Sequence, residues 1–116
     1  MYSVSPTVFS VTELNNYVKR ILDNDENLKN VFVTGEISNF KNHYSGHMYM
    51  TIKDSGAAIS VIIWRGTPVP FKLEDGLEVI ITGRFTTYPA RSNYQIIASE
   101  IEMAGVGAIL KMLEER

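Results

Sequence analysis

The sequence predicts an all-β fold with a flanking helix: a five-stranded barrel preceded by an N-terminal α-helix. Three observations carry this. Apolar residues recur at helical spacing once, near the start. Five later segments alternate with a period of two, which sends successive side chains to opposite faces of a strand. Five short strands are too few for a two-sheet sandwich, which usually has about seven, yet they suffice to close a small barrel. The 116 residues hold one domain, and with no cysteine its core must be hydrophobic rather than cross-linked.

The helix opens at Ser10. Ser10-Val11-Thr12-Glu13 forms a capping box, in which the hydroxyl and the carboxylate each satisfy a backbone N–H left free at the first turn. Val11, Leu14, Val18, Ile21 and Leu22 make one apolar stripe, and Asp23-Asn24-Asp25 ends it. Pro6 and its serine neighbours read as an extended lead-in. After Leu28, Val31, Val33 and Ile37 alternate with Phe32, Thr34 and Glu36 in the first strand. Gly35 marks a bulge or sharp bend there, and Phe40 and Lys41 close the strand.

The second strand runs from His47 to Lys53. Met48, Met50 and Ile52 take its core face, and His47, Tyr49, Thr51 and Lys53 the other. Asp54-Ser55-Gly56 turns the chain into a third strand, Ala57 to Trp64. Glu74-Asp75-Gly76 introduces the fourth, from Leu77 to about Phe85. The loop Tyr88-Pro89-Ala90-Arg91 leads into the fifth, Ser92 to Met103. Gly105 and Gly107 then break the chain before a helical start at Ala108 to Glu115, so residues 1–106 form the barrel domain and 107–116 begin a helix leading into a downstream domain.

Composition narrows the function. Apolar residues make up 45% and charged residues 21%, which is globular rather than disordered. No apolar run approaches the ~20 residues of a membrane span, and the start lacks a signal-peptide core. A cytoplasmic location without a membrane partner is expected. The net charge of −2 excludes a polycation that coats duplex DNA. Both ends are acidic, while residues 31–99 carry six basic and five acidic side chains, so an anion would have to meet a local patch.

Nothing in the pattern suggests catalysis. Glu74, Asp75, Glu78, Glu114 and Glu115 read as solvated carboxylates. His43 and His47 have a metal-ligand spacing only on a helix, which Tyr44-Ser45-Gly46 opposes. No nucleophile elbow or glycine-rich phosphate loop is present, so neither metal nor cofactor is expected in this fragment.

Binding is better supported, because aromatics and cations are interleaved on the face turned away from the core. His47, Tyr49 and Lys53 share the second strand, Trp64 and Arg65 stand at the end of the third, and Lys41 ends the first. Arg84, Tyr88, Arg91 and Tyr94 gather around the loop between the last two strands. A single strand needs such a face: bases stack on aromatic rings and Lys or Arg meets the phosphates. Phe40 reads either as a plug at the barrel end or as a stacking platform, Phe85 and Tyr94 as core or surface, and Trp64 as a core cap or an exposed ring. Lys19 and Arg20 read as a solvated helix face.

Several segments together resemble a known family. Phe9-Ser10-Val11-Thr12-Glu13-Leu14-Asn15, Val33-Thr34-Gly35-Glu36-Ile37-Ser38-Asn39-Phe40, Ser45-Gly46-His47-Met48-Tyr49 and Lys53-Asp54 are similar to the start of the exodeoxyribonuclease VII large subunit. So are Asp75-Gly76, Gly83-Arg84, the stretch Tyr88-Pro89-Ala90-Arg91-Ser92-Asn93-Tyr94-Gln95, and Gly105-Val106-Gly107-Ala108. The resemblance implies an oligonucleotide-binding (OB) fold at the N-terminus of a nuclease that degrades single-stranded DNA to oligonucleotides. It also implies a downstream catalytic domain and a small subunit bound through a region outside this chain. This piece would then capture single-stranded DNA without cutting it, using Lys41, His47, Tyr49, Lys53, Trp64, Arg65, Arg84, Tyr88 and Arg91. A barrel that docks the catalytic domain or another subunit, and an RNA-binding barrel, are the other readings.

Overall fold

The computed structural model describes residues 8–104. The lead-in around Pro6, the domain boundary at 106/107 and the helix expected from Ala108 lie outside the described residues. Helix α1 (Val11–Asn24) is followed by a 3-10 turn at Glu26–Leu28 and by β1 (Val31–Asn42), β2 (Met48–Lys53), β3 (Ala58–Ile63), β4 (Glu78–Tyr88) and β5 (Asn93–Met103). The strands close into a barrel in the order β1-β2-β3-β5-β4. All neighbours are antiparallel except β3 and β5, which pair in parallel over Ser60–Gln95, Val61–Ile96 and Ile62–Ile97.

Alternation supplies the core. Met50 and Ile52 of β2, Val61 and Ile63 of β3, and Ile96 and Ala98 of β5 are buried together with Ile37, Val79 and Ile81. Phe40 and Phe85 are half-buried against this cluster, so Phe40 belongs to the barrel interior. Tyr94 is exposed and stacks on Phe85 with ring centroids 5.4 Å apart.

Closure depends on β1, whose first half pairs with β4 and whose second half pairs with β2. Gly35 sits at the handover, and its role differs from the expected bulge. A Cβ there would overlap Ile52 Cγ2 and lie 2.9 Å from the Lys53 carbonyl oxygen, so the glycine permits close strand approach. The irregularity in the β1–β2 ladder falls later, between Ser38 and Lys41, where Asn39 has φ +53°.

The fourth strand also runs past its expected end at Phe85. Thr86, Thr87 and Tyr88 pair with Gln95, Tyr94 and Asn93, making a long β4–β5 hairpin. Their polarity reads as loop, but Thr86 and Thr87 are buried. Helix α1 explains part of this. Its capping box forms as expected, with Glu13 N–H donating to Ser10 Oγ (3.1 Å) and Ser10 N–H to Glu13 Oε1 (2.9 Å). The bond from the Ser10 backbone N–H first, and the Ser10 hydroxyl second, hold the Glu13 carboxyl below its ordinary pKa. The helix then docks on the hairpin through polar groups. Asn15 Nδ2 donates to Pro89 O (2.6 Å) and Ser92 Oγ (2.8 Å), and Thr86 Oγ1 donates to Asp23 Oδ1 (2.6 Å).

The apolar stripe does not become a core face. Val18 and Leu22 are half-buried, whereas Val11, Leu14 and Ile21 are 77%, 45% and 53% exposed. The hairpin offers hydroxyls and carbonyls to the helix, and these turn its Asn15, Lys19 and Asp23 side inward. Three of the five stripe residues stay exposed.

Candidate nucleic-acid interface

Outside the core, the same alternation builds a continuous surface over β2, β3, β5 and β4. Register aligns Thr51, Ser60, Gln95 and Thr86 in one row across the four strands. The next row is Tyr49, Ile62, Ile97 and Arg84. A polar band thus runs beside an apolar one. Over the first row and over Tyr49, Ile62 and Ile97 of the second lies an open groove of about 1100 Å³, above the ~300–1,000 Å³ of a small-molecule pocket. Its sides are Asn39 and Lys41 of β1, Lys19 of α1, and Tyr88, Pro89 and Arg91 at the hairpin turn, with Trp64 just past the end of β3.

Five of the residues expected to bind therefore line one groove: Lys41, Tyr49, Trp64, Tyr88 and Arg91. Trp64 is 43% exposed, a surface ring rather than a core cap. Among the described residues, the groove lining contains Lys19, Lys41 and Arg91 and no carboxylate, although the chain is net acidic. Neither Lys41 nor Arg91 is in an ion pair among the described residues.

His47 and Arg65 are not among the lining residues; they lie beside Trp64. His47 Nδ1 accepts the Arg65 backbone N–H at 2.8 Å, and its ring meets Trp64 edge-on with centroids 4.7 Å apart. A main-chain N–H can only donate, so Nδ1 is the acceptor in this bond. His47 thereby braces Trp64. Gly46, at φ +94°, leaves room for the Arg65 methylenes, which a Cβ would meet at 2.7 Å. His43 Nδ1 accepts the Ser45 backbone N–H (3.2 Å) and sits 2.8 Å from Ser45 Oγ. The His43 imidazole thus organises the β1–β2 loop, and that of His47 ties the loop's end to the segment after β3. Among the described residues no group of three or more His, Asp or Glu is placed to hold a metal ion.

Lys53 and Arg84 stand apart from the groove lining. Lys53 Nζ is 3.6 Å from Glu36 Oε2, in a depression shared with Asp54, Ser55 and Glu78. Arg84 Nη1 is 3.8 Å from Asp23 Oδ1, in a smaller depression beside the groove. Burial works to raise the Asp23 pKa, but hydrogen bonds from Lys19 and Thr86 and the charges of Lys19 and Arg84 outweigh it and hold the carboxyl below its ordinary range.

Sequence reasoning missed Lys19, Ser60, Ile62, Gln95 and Ile97 as groove residues. Lys19 lies four residues before Asp23 and reads as a surface pair, and Lys19 Nζ does bond Asp23 Oδ2 at 2.5 Å. The helix packed on the hairpin brings Lys19 into the groove lining, while Asp23 stays outside it. Alternation puts Ser60 and Gln95 on outward faces, but only the parallel β3–β5 pairing makes them neighbours.

Among the described residues no helix is long and apolar enough to cross a membrane. A family model described as an OB-fold nucleic acid binding domain matches residues 9–102. The exodeoxyribonuclease 7 large subunit of Mesorhizobium japonicum is 43% identical over 113 residues, covering 95% of this chain and 21% of the relative. That of Clostridium beijerinckii is 45% identical over 108 residues, covering 91% and 27%. The chain thus spans about a fifth to a quarter of the length of these curated relatives. Among solved structures, a replication protein A heterotrimer bound to single-stranded DNA superposes with a TM-score of 0.58 at 10% identity, over 76% of this chain and 67% of the other; that likeness concerns the fold alone. With α1 and nearly the whole barrel inside the matched region, the chain belongs to the OB-fold nucleic acid binding domain family.

Proposed function

We propose that this domain binds single-stranded DNA along the groove and captures substrate for a longer exodeoxyribonuclease VII large subunit. The observation that carries the proposal is a groove with stacking rings, three cations and no carboxylate among its described lining residues, on a chain of net charge −2. Tyr49, Trp64 and Tyr88 offer faces to bases, each stack contributing ~1–3 kcal/mol. Lys41 and Arg91 meet phosphates, and the row of Thr51, Ser60 and Gln95 offers hydrogen bonds to base edges. His47 and Arg65 hold Trp64 in place from the lip. Hydrolysis belongs to a catalytic domain outside this chain, and the small subunit binds elsewhere on the longer protein. The domain itself works without a cofactor, in the cytoplasm.

The exposed apolar side of α1 favours a second, compatible role, in which Val11, Leu14 and Ile21 would anchor another domain of the same polypeptide.

Trp64 is the only tryptophan and reports directly on the groove. Titration with an unstructured oligothymidine is expected to quench its fluorescence saturably at low salt and weakly at moderate salt. A flat signal together with flat fluorescence anisotropy refutes DNA binding by the isolated domain and leaves the docking role. Positive anisotropy without quenching keeps DNA binding and removes Trp64 from the contact.

A further inference from the structure

Trp64 and Ile97 line two depressions: the groove, and a smaller one of about 490 Å³ on their other side. The smaller one is bordered by Lys29, Thr67, Ser99 and Arg84. The row Tyr49, Ile62, Ile97 and Arg84 runs from the floor of the first into the second, so the surface is continuous across β5. Both cations there already have carboxylate neighbours, but weakly held ones. Lys29 Nζ is 2.9 Å from Glu26 Oε1, whose side chain is 84% exposed. An exposed pair of this kind contributes ~0–1 kcal/mol, so a phosphate can replace the carboxylate at little cost. Arg84 is the most distant partner of Asp23, at 3.8 Å, and that carboxylate keeps Thr86 and Lys19 when Arg84 turns away.

The geometry points to a DNA path that does not end at Trp64. A single strand long enough to cross the ring continues into the second depression, where Lys29 and Arg84 take the phosphates beyond it. Lys29 thereby becomes a DNA-binding residue, and Trp64 a ridge in the middle of the site instead of its edge. This inference rests on the groove reading above and adds length to it.

The test is a length series. Oligothymidines of about 4 to about 16 nucleotides, the range of OB-fold site sizes, are titrated into the 116-residue chain and its Lys29→Ala variant by fluorescence anisotropy. The Lys29 side chain is 46% exposed, and matching melting temperatures will establish that the variant folds. The shortest oligonucleotides are expected to bind both proteins alike. The longest should bind the variant a few fold more weakly, with a salt dependence of log K shallower by about 0.7. Arg84→Gln should also weaken the long oligonucleotides. Equal affinities of parent and Lys29→Ala at every length overturn the extension while leaving the groove reading intact. A uniform loss at every length also overturns it, since Lys29 then acts on the groove itself. If the parent binds no length at all, the groove reading fails and the extension fails with it.

Discussion

Replacing Lys41 and Arg91 together by alanine separates phosphate contact from every other role of the groove. The two side chains line the groove from β1 and from the β4–β5 turn, both are exposed, and neither is in an ion pair among the described residues. Their loss should therefore leave the melting temperature unchanged. Each phosphate contact to a single strand contributes about 0.7 to the slope of log K against log salt, so removing two lowers it by about 1.4. Across an about fourfold rise in salt, the parent should lose about 7-fold more affinity than the double variant. Anisotropy titrations of an oligothymidine at four or more salt concentrations read this directly. An unchanged slope would refute the assignment, however large the loss of affinity, because it would show that these cations do not displace counterions. A lower melting temperature would instead make them structural.

Other predictions follow from the same geometry. Because the folded pKa of Asp23 is depressed, its contribution to stability is complete above the unfolded carboxylate pKa and is lost as pH falls through the folded value. Thermal unfolding followed from neutral to acid pH should thus show a smaller acid loss in Asp23→Asn than in the parent. Gly83→Ala places a methyl group against the Ile97 carbonyl oxygen and 2.9 Å from Ala98 Cα, where only backbone could yield. Overpacking of this kind costs about 1–3 kcal/mol, which calorimetry should register as a fall of roughly 4–20 °C; an unchanged melting temperature would mean that β4 and β5 can separate freely there. Lys53→Ala, which removes a cation facing Glu36 outside the groove, should change oligothymidine affinity far less than Lys41→Ala.

The barrel is legible in the sequence wherever local rules decide. Ser10 and Glu13 specify the helix start, and Met50 and Ile52 alternate with Tyr49 and Thr51 because one face of β2 must be dry. Tyr49 is legible on the outward face for the same reason, whereas Trp64, just past the end of β3, reads equally as a core cap until the structure shows it exposed. The rest depends on partners distant in sequence. Thr86 to Tyr88 read as loop until Asp23, more than sixty residues earlier, supplies an acceptor for the Thr86 hydroxyl. The helix stripe is a true periodicity, yet the polar hairpin beneath selects the Asn15 and Asp23 side, which hydropathy cannot anticipate. Lys53 has the right face of the right strand. Only the β1–β2 register, which sets it opposite Glu36, gives its charge a partner outside the groove.

The parallel β3–β5 contact is the one seam in an otherwise antiparallel ring, and its register covers only three residue pairs. Parallel pairing is slightly the weaker kind, so the barrel should open there first when it breathes. That seam runs beneath the groove, with Ser60 and Ile62 on one bank and Gln95 and Ile97 on the other. On the proposed reading, a nucleic acid strand lying across it would act as a suture, and the energy of binding would be shared with the closing of the barrel. Amide hydrogens of Ser60 to Ile62 and Gln95 to Ile97 should accordingly be those whose exchange slows most when the groove is filled.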